Sequence, residues 1–325
     1  MKLEQTVWTE KYRPQSLKDI VGQSHIIPIL QSFVEKKDIP HMLFVGKQGT
    51  GKTATAIALA KDLFGNRWRT RFLEINASDE SGVDTIRGKI KEYASVSPYP
   101  DKFKIIFLDE ADYISPNAQA CLRRIIEKYS RICRFILSCN NPERIIDPIK
   151  DRCAEFRFKA LAPIDLQNIL QKIQSTENIR ITPDAIVSIS HKSNGSARRA
   201  INILQCLSFY ANGNEITSKM VDNFIFHVDQ EVLENLYQAC KNSNLNDAKK
   251  WLCEAIFYKM MLPSEILTFI MEKIMDDEKI PYNAKIYLLS KLGEVDRNSM
   301  ITNSYYLQMM SFIAQFIVVM KKIGI

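Results

Sequence analysis

A chain of 325 residues, 46% hydrophobic and 25% charged, has the makeup of a soluble globular protein and is too long for one ordinary compact domain. Its net charge of +7 is unevenly placed: residues 1–160 hold 27 Lys+Arg against 20 Asp+Glu, and residues 161–325 hold 17 against 17. Any polyanionic partner is therefore expected on the N-terminal half. Met1–Gln5 contains an acid and lacks the apolar centre of a signal peptide. The apolar stretch Ser311–Met320 is too short to span a bilayer. The expectation is a soluble intracellular protein without a membrane, in the cytoplasm of a cell lacking a nucleus or in a nucleus. The seven cysteines form no Cys-x-x-Cys pair. They read as reduced, small hydrophobic residues, and no structural metal site is expected.

In chain order, Met42–Val45 is a short apolar strand that ends at a glycine-rich turn, and Lys52–Phe64 is a helix. Arg71–Ile75 is a second strand and Asp84–Ala94 a helix with charges on one side. The nearly continuous apolar run Lys104–Leu108, the helix Asn117–Lys128 and the strand Cys133–Ser138 follow. Apolar strands separated by helices predict a parallel sheet covered on both faces. Beyond Lys159 the pattern turns helical: Pro163–Gln174, Thr182–Ser190, which has an N-cap threonine with proline behind it, and Ala197–Ala211. From Asp229 apolar residues recur at three- and four-residue spacing with no strand signal. Three domains are expected: an α/β domain over 1–160, a small helical lid over 161–228 and an all-helical collar over 229–325.

The segment Gly46-Lys47-Gln48-Gly49-Thr50-Gly51-Lys52-Thr53 matches G-x-x-x-x-G-K-[ST] between a strand and a helix. In such a P-loop the glycines let backbone N–H groups wrap phosphates in front of a helix N-terminus. Lys52 is expected on the β- and γ-phosphates of ATP and Thr53 on Mg2+. Ile105-Ile106-Phe107-Leu108-Asp109-Glu110 puts two acids at a strand's carboxyl end, where open α/β sheets bind ligands. Asp109 is expected to hold the Mg2+ shell and Glu110 to polarise the attacking water. Asn140, after the strand ending Ser138-Cys139, should emerge at the same edge and orient that water or sense the γ-phosphate.

Several stretches together resemble the small subunits of replication factor C, AAA+ ATPases that load sliding clamps onto DNA. They are Trp8–Pro14, Asp19–Gln23, Asn76-Ala77-Ser78-Asp79-Glu80, Asp109–Asp112, Leu122–Arg124 with Glu127–Ser130, Phe135–Asn140, Gly195–Asn202 and Leu292–Arg297. The resemblance implies adenine contacts from Val7, Tyr12, Arg13, Val21 and Gly22. It places Arg198 at the sensor-2 position on the phosphates, and residues 292–297 in the collar. Asp151-Arg152-Cys153 falls where the family carries Ser-Arg-Cys, so Arg152 is implied to act in trans on the neighbouring subunit's γ-phosphate. Other departures are Lys47-Gln48 in place of two prolines, Asn141 in place of tyrosine and Ser81 in place of arginine.

On the helix Asp84–Ala94, Arg87 and Lys91 are four apart and share a face. In this resemblance that face follows the backbone of primer–template DNA, through phosphate contacts with little sequence preference. The loop Ser95–Pro100, with Tyr99 between prolines, is implied to meet the sliding clamp. The implied assembly joins a replication factor C large subunit and several small ones in a pentameric spiral. Rival readings are another AAA+ DNA motor, such as a branch-migration ATPase, and a scaffold subunit that binds ATP without hydrolysing it. Neither accounts for the residues as well: the first leaves Asn76–Glu80 and the collar unexplained, the second an intact set of hydrolytic residues.

Overall fold

The computed structural model describes residues 7–78, 86–225, 230–259, 261–299 and 304–323. Five strands form one parallel sheet: β1 (Met42–Val45), β2 (Phe72–Asn76), β3 (Lys104–Asp109), β4 (Cys133–Cys139) and β5 (Ala154–Arg157), in the order β2-β3-β4-β1-β5. Four of these match the sequence reading to within a residue or so. The fifth, Ala154–Arg157, has no strand signal in the sequence pattern, and it pairs with β1 at the sheet edge, Met42 opposite Ala154.

The alternation of side chains along the strands builds two separate cores. Met42 and Phe44 of β1 and Ile105 and Phe107 of β3 point to one face, beneath helices Ile27–Lys36 and Lys52–Phe64. Leu43, Ile106 and Leu108 point to the other, beneath Pro116–Tyr129 and the short helix Lys91–Ser95. The sheet is thus covered on both faces, as its unbroken apolar strands require. Ser115 caps Pro116–Tyr129 by accepting from the Ala118 N–H, and proline occupies its first turn.

Two compact units are separable, Met1–Val221 and Asp222–Ile325. The first contains the sheet together with helices Pro163–Glu177, Pro183–Lys192 and Ala197–Ala211, which pack on one another. Thr182 caps the second of them as its Thr-Pro-Asp sequence predicts. The second unit is entirely helical where described, with a core that includes Leu236, Ile270, Leu288, Phe312 and Phe316. Its last helix, Tyr305–Ile323, is long and apolar enough by composition to cross a bilayer. Met309, Phe312, Ile313, Phe316, Ile317 and Met320 nevertheless line one side of it and are buried in that core.

Candidate active site

The sheet's register brings four strand ends together. Asn76 lies opposite Asp109, Val45 lies opposite Cys139, and the Gly46 N–H donates to the Cys139 carbonyl at 3.2 Å. The phosphate loop leaving β1 is therefore anchored directly beside the residues leaving β4, and β3 delivers its acids next to both.

Side-chain bonds knit these elements into one cleft. Lys52, nearly buried at the start of helix Lys52–Phe64, donates from Nζ to the Gly46 carbonyl at 2.6 Å, the Lys47 carbonyl at 3.0 Å and Asn140 Oδ1 at 3.0 Å. Burial lowers the pKa of this ammonium, and the neighbouring Asp109 carboxylate opposes the shift. Thr53 Oγ1 donates to Asp109 Oδ2 at 2.6 Å, and Ser138 Oγ donates to the other Asp109 oxygen. Asp112 Oδ2 accepts from the backbone N–H groups of Asn140 and Asn141 at 3.3 and 3.1 Å, fixing the turn that presents Asn140. Glu110 adopts a left-handed backbone with φ +54°, unusual for a residue with a side chain.

The cavity at this edge is lined by Tyr12, Arg13, Gln48, Gly49, Gly51, Lys52, Thr53, Asp109, Glu110, Asn140 and Arg198. Arg198 arrives on the first turn of helix Ala197–Ala211, capped by Ser196, whose hydroxyl accepts from the Arg199 N–H at 3.2 Å. The Ala197 N–H donates to the Gly49 carbonyl at 3.0 Å, joining that helix to the phosphate loop. Gly49 has φ +76°, and a Cβ there would lie 2.0 Å from Ser196 Oγ, so this approach requires glycine. Thr50 is buried within the loop, where its hydroxyl donates to the Lys47 carbonyl at 2.8 Å.

A second cavity of about 430 Å3 adjoins the first. Tyr12, Arg13, Val21, Ala54, Leu161, Asn168, Ile169, Lys172 and Ile201 are among its lining residues, a mixed apolar and polar wall suited to a flat heterocycle. Gly22 lies just behind it, at φ +76° and packed so closely on Leu161 that a Cβ would sit 2.4 Å from it. Val7 stands apart, 55% exposed and lining neither cavity.

Two residues matter here that the sequence reading passed over. Gln23 is buried and bridges the phosphate loop to the chain leaving β5. Its Nε2 donates to the Thr50 and Lys159 carbonyls at 3.2 and 2.8 Å, and its Oε1 accepts from the Lys159 N–H at 3.2 Å. Asp112 is the other. Both lie in the quoted motifs, but their partners are distant in sequence, so only the fold reveals their work.

Arg152 does not line the chain's own cleft. It is partly exposed after the short helix Asp147–Lys150 and pairs with Glu127 at 2.6 Å, while donating to the Pro148 carbonyl at 2.6 Å. Its ion-pair partner is thus Glu127 rather than the adjacent Asp151. Lys91 is exposed and lines a surface groove with Arg124, Glu92 and Ser95. The Arg87 side chain, and Asp79, Glu80 and Ser81, lie outside the described residues. Tyr99 projects at 85% exposure from a loop that Arg71 holds, donating to the Tyr99 carbonyl at 2.7 Å and pairing with Asp101 at 2.8 Å.

Residues 42–161 match the model of the ATPase family associated with various cellular activities (AAA), and residues 228–315 match the replication factor C C-terminal domain. The replication factor C small subunit of Archaeoglobus fulgidus is 44% identical over 291 residues, covering 89% of this chain and 90% of that protein. That of Methanococcus maripaludis is 42% identical over 293 residues, covering 90% and 92%. Among solved structures, the Thermotoga maritima RuvB Holliday junction branch migration motor superposes with a TM-score of 0.56 over 69% of this chain and 79% of that one. At 17% identity it shares the fold alone, which leaves the branch-migration reading unfavoured. With both domains matched and two-fifths of its residues identical along nine-tenths of its length, the chain belongs to the replication factor C small subunits.

Proposed function

We propose that this chain is an ATP-hydrolysing subunit of a clamp loader, which places a sliding clamp on primed DNA. The reading is supported above all by the meeting of Lys52, Thr53, Asp109, Glu110, Asn140 and Arg198 at one sheet edge in a chain of this family. Lys52 neutralises the β- and γ-phosphates of ATP, and the loop N–H groups from Gly46 to Thr53 wrap them. Tyr12, Arg13 and Val21 enclose the base, with Gly22 packed behind them. Thr53 and Asp109 set a hydroxyl beside a carboxylate, 2.6 Å apart, and such hard oxygen donors suit Mg2+. When bound, that ion would supply charge neutralisation to the phosphates.

Glu110 polarises the attacking water, Asn140 orients it against the γ-phosphate, and Arg198 reports that phosphate to the lid. Arg152 completes the neighbouring subunit's site rather than its own, which agrees with its outward position and its absence from the lining here. Lys91, with Arg87, tracks DNA phosphates, and Tyr99 reaches toward the clamp. We further propose three domains, 1–160, 161–228 and 229–325, with the last building the pentamer with a large subunit and other small subunits. A soluble intracellular setting follows from that role.

The test is ATPase turnover of the reconstituted complex with and without clamp and primed DNA. Strong stimulation by both together is expected, and none would overturn the loader reading. Stimulation by duplex DNA alone, with translocation, would instead indicate a branch-migration motor.

A further inference from the structure

Glu177 ends helix Pro163–Glu177, where an acid is electrostatically misplaced. The exposed carbonyls of a helix C-terminus repel a carboxylate, and Asn178 already caps this end with a left-handed backbone. Its location is explained by what it touches across the fold. Tyr12 Oη donates to Glu177 Oε1 at 2.5 Å, and Lys11 Nζ donates to the same oxygen at 2.6 Å. Burial works to raise the Glu177 pKa, but these two bonds outweigh it and hold the carboxylate below its usual range.

Those partners belong to the amino-terminal segment that roofs the nucleotide cleft. Tyr12, Arg13 and Pro14 line both cavities. The helix that Glu177 terminates lines the base cavity from the opposite side through Asn168, Ile169, Lys172 and Ile173. A second tie runs parallel, from the Trp8 N–H to Gln205 Oε1 at 3.0 Å. One carboxylate therefore fastens two walls of one cavity that are distant in sequence.

We infer that Glu177 is a positioning residue for ATP: by latching Tyr12 and Lys11 to the lid helix it holds the base-binding wall in place before the nucleotide arrives. Without the latch, ATP must order this segment on binding, so apparent affinity scales down with the fraction of molecules already in place. Glu177 touches neither phosphate nor water in this scheme, so the chemical step is left alone. The inference rests on the nucleotide site proposed above.

The experiment measures binding of a fluorescent ATP analogue with Mg2+, and turnover in the reconstituted complex, for four full-length variants. Glu177→Ala is expected to raise Kd and KM about 5- to 10-fold, with kcat within about twofold of the parent. Glu177→Gln, which can still accept from Tyr12, should recover most of that loss. Tyr12→Phe deletes only the hydroxyl and should reproduce a weakened Kd, so the idea stays testable if Glu177→Ala folds poorly. Unchanged Kd in folded Glu177→Ala and Tyr12→Phe, or a fall in kcat at constant Kd, overturns the latch. Lys52→Ala separates the two claims. If it abolishes binding while the latch variants do not weaken it, the latch alone fails. If it too binds normally, the site itself is wrong.

Discussion

His41 sits just before β1, and its ring gives the fold a calculable acid sensitivity. Its Nδ1 accepts from the Phe135 N–H at 3.0 Å, the ring packs 5.7 Å from the Phe135 ring, and its carbonyl accepts from the Ala154 N–H at 2.8 Å. Burial first, and then the Arg134 guanidinium, lower its pKa to about 4. An unfolded histidine titrates near about 6.5. The native pKa is thus the depressed one, so the neutral ring's contribution is complete above pH 6.5 and drains away as pH falls toward 4. At pH 5 the unfolded ring is about 97% protonated and the native ring only about 10%, a difference of about 2 kcal/mol in stability. Screening at the ring's partly exposed rim trims this to about 1–2 kcal/mol. The assay is urea unfolding at pH 7.5 and 5.0, following Trp8 and Trp68 of the first unit with Trp251→Phe silencing the second. His41→Gln keeps an acceptor but does not titrate, so it should lose that much less stability between the two pH values. Identical pH dependence in both proteins would refute the assignment.

Lys52→Ala removes a charge held among three oxygens in the cleft and should weaken ATP binding by about 100-fold or more; a fluorescent-analogue titration with unchanged Kd would reject the phosphate-loop role. Arg152→Ala should leave its own subunit's binding within about twofold while slowing hydrolysis next door by about a thousandfold. Complexes that mix mutant and parent subunits locate the defect, and a lesion in the mutant's own site contradicts action in trans. Gln23→Ala takes three bonds from a buried bridge and should cost about 2–4 kcal/mol, measurable as a lower calorimetric Tm; an unaltered Tm would mean the bridge contributes nothing. Lys91→Ala should reduce the slope of log K against log salt for primed DNA by about 1, without changing sequence preference. A slope equal to the parent's removes Lys91 from the interface.

Those features that depend on neighbours in sequence were legible beforehand. Gly46–Thr53 carries its chemistry in eight consecutive residues, and the acids at 109 and 110 follow an apolar run that can hardly be anything but a buried strand. Ala154–Arg157 escaped notice because Phe156 is its one buried large side chain, and four residues are too few to display a period. Gln23, Glu127 and Glu177 were illegible for a different reason. Each acts through partners between 25 and 166 residues away or on separate turns, as Arg152 with Glu127 and Lys11 with Glu177 illustrate. A polar side chain announces capacity to bond, but its partner is chosen by topology. Val7 shows the reverse case, where family likeness implied a contact and the chain itself leaves the side chain exposed.

The left-handed backbone of Glu110 has a consequence for how this protein can change. A side-chain-bearing residue at φ +54° is destabilised by about 1–2 kcal/mol, a penalty that glycine would largely escape. Natural or laboratory selection for heat resistance alone would favour glycine here, and would delete the acid that the turn aims at the cleft. With the hydrolytic role proposed for Glu110, robustness and turnover pull in opposite directions at this one position. A lineage that ceased to need hydrolysis should drift toward glycine at 110 early, so the residue found there records whether turnover is still under selection.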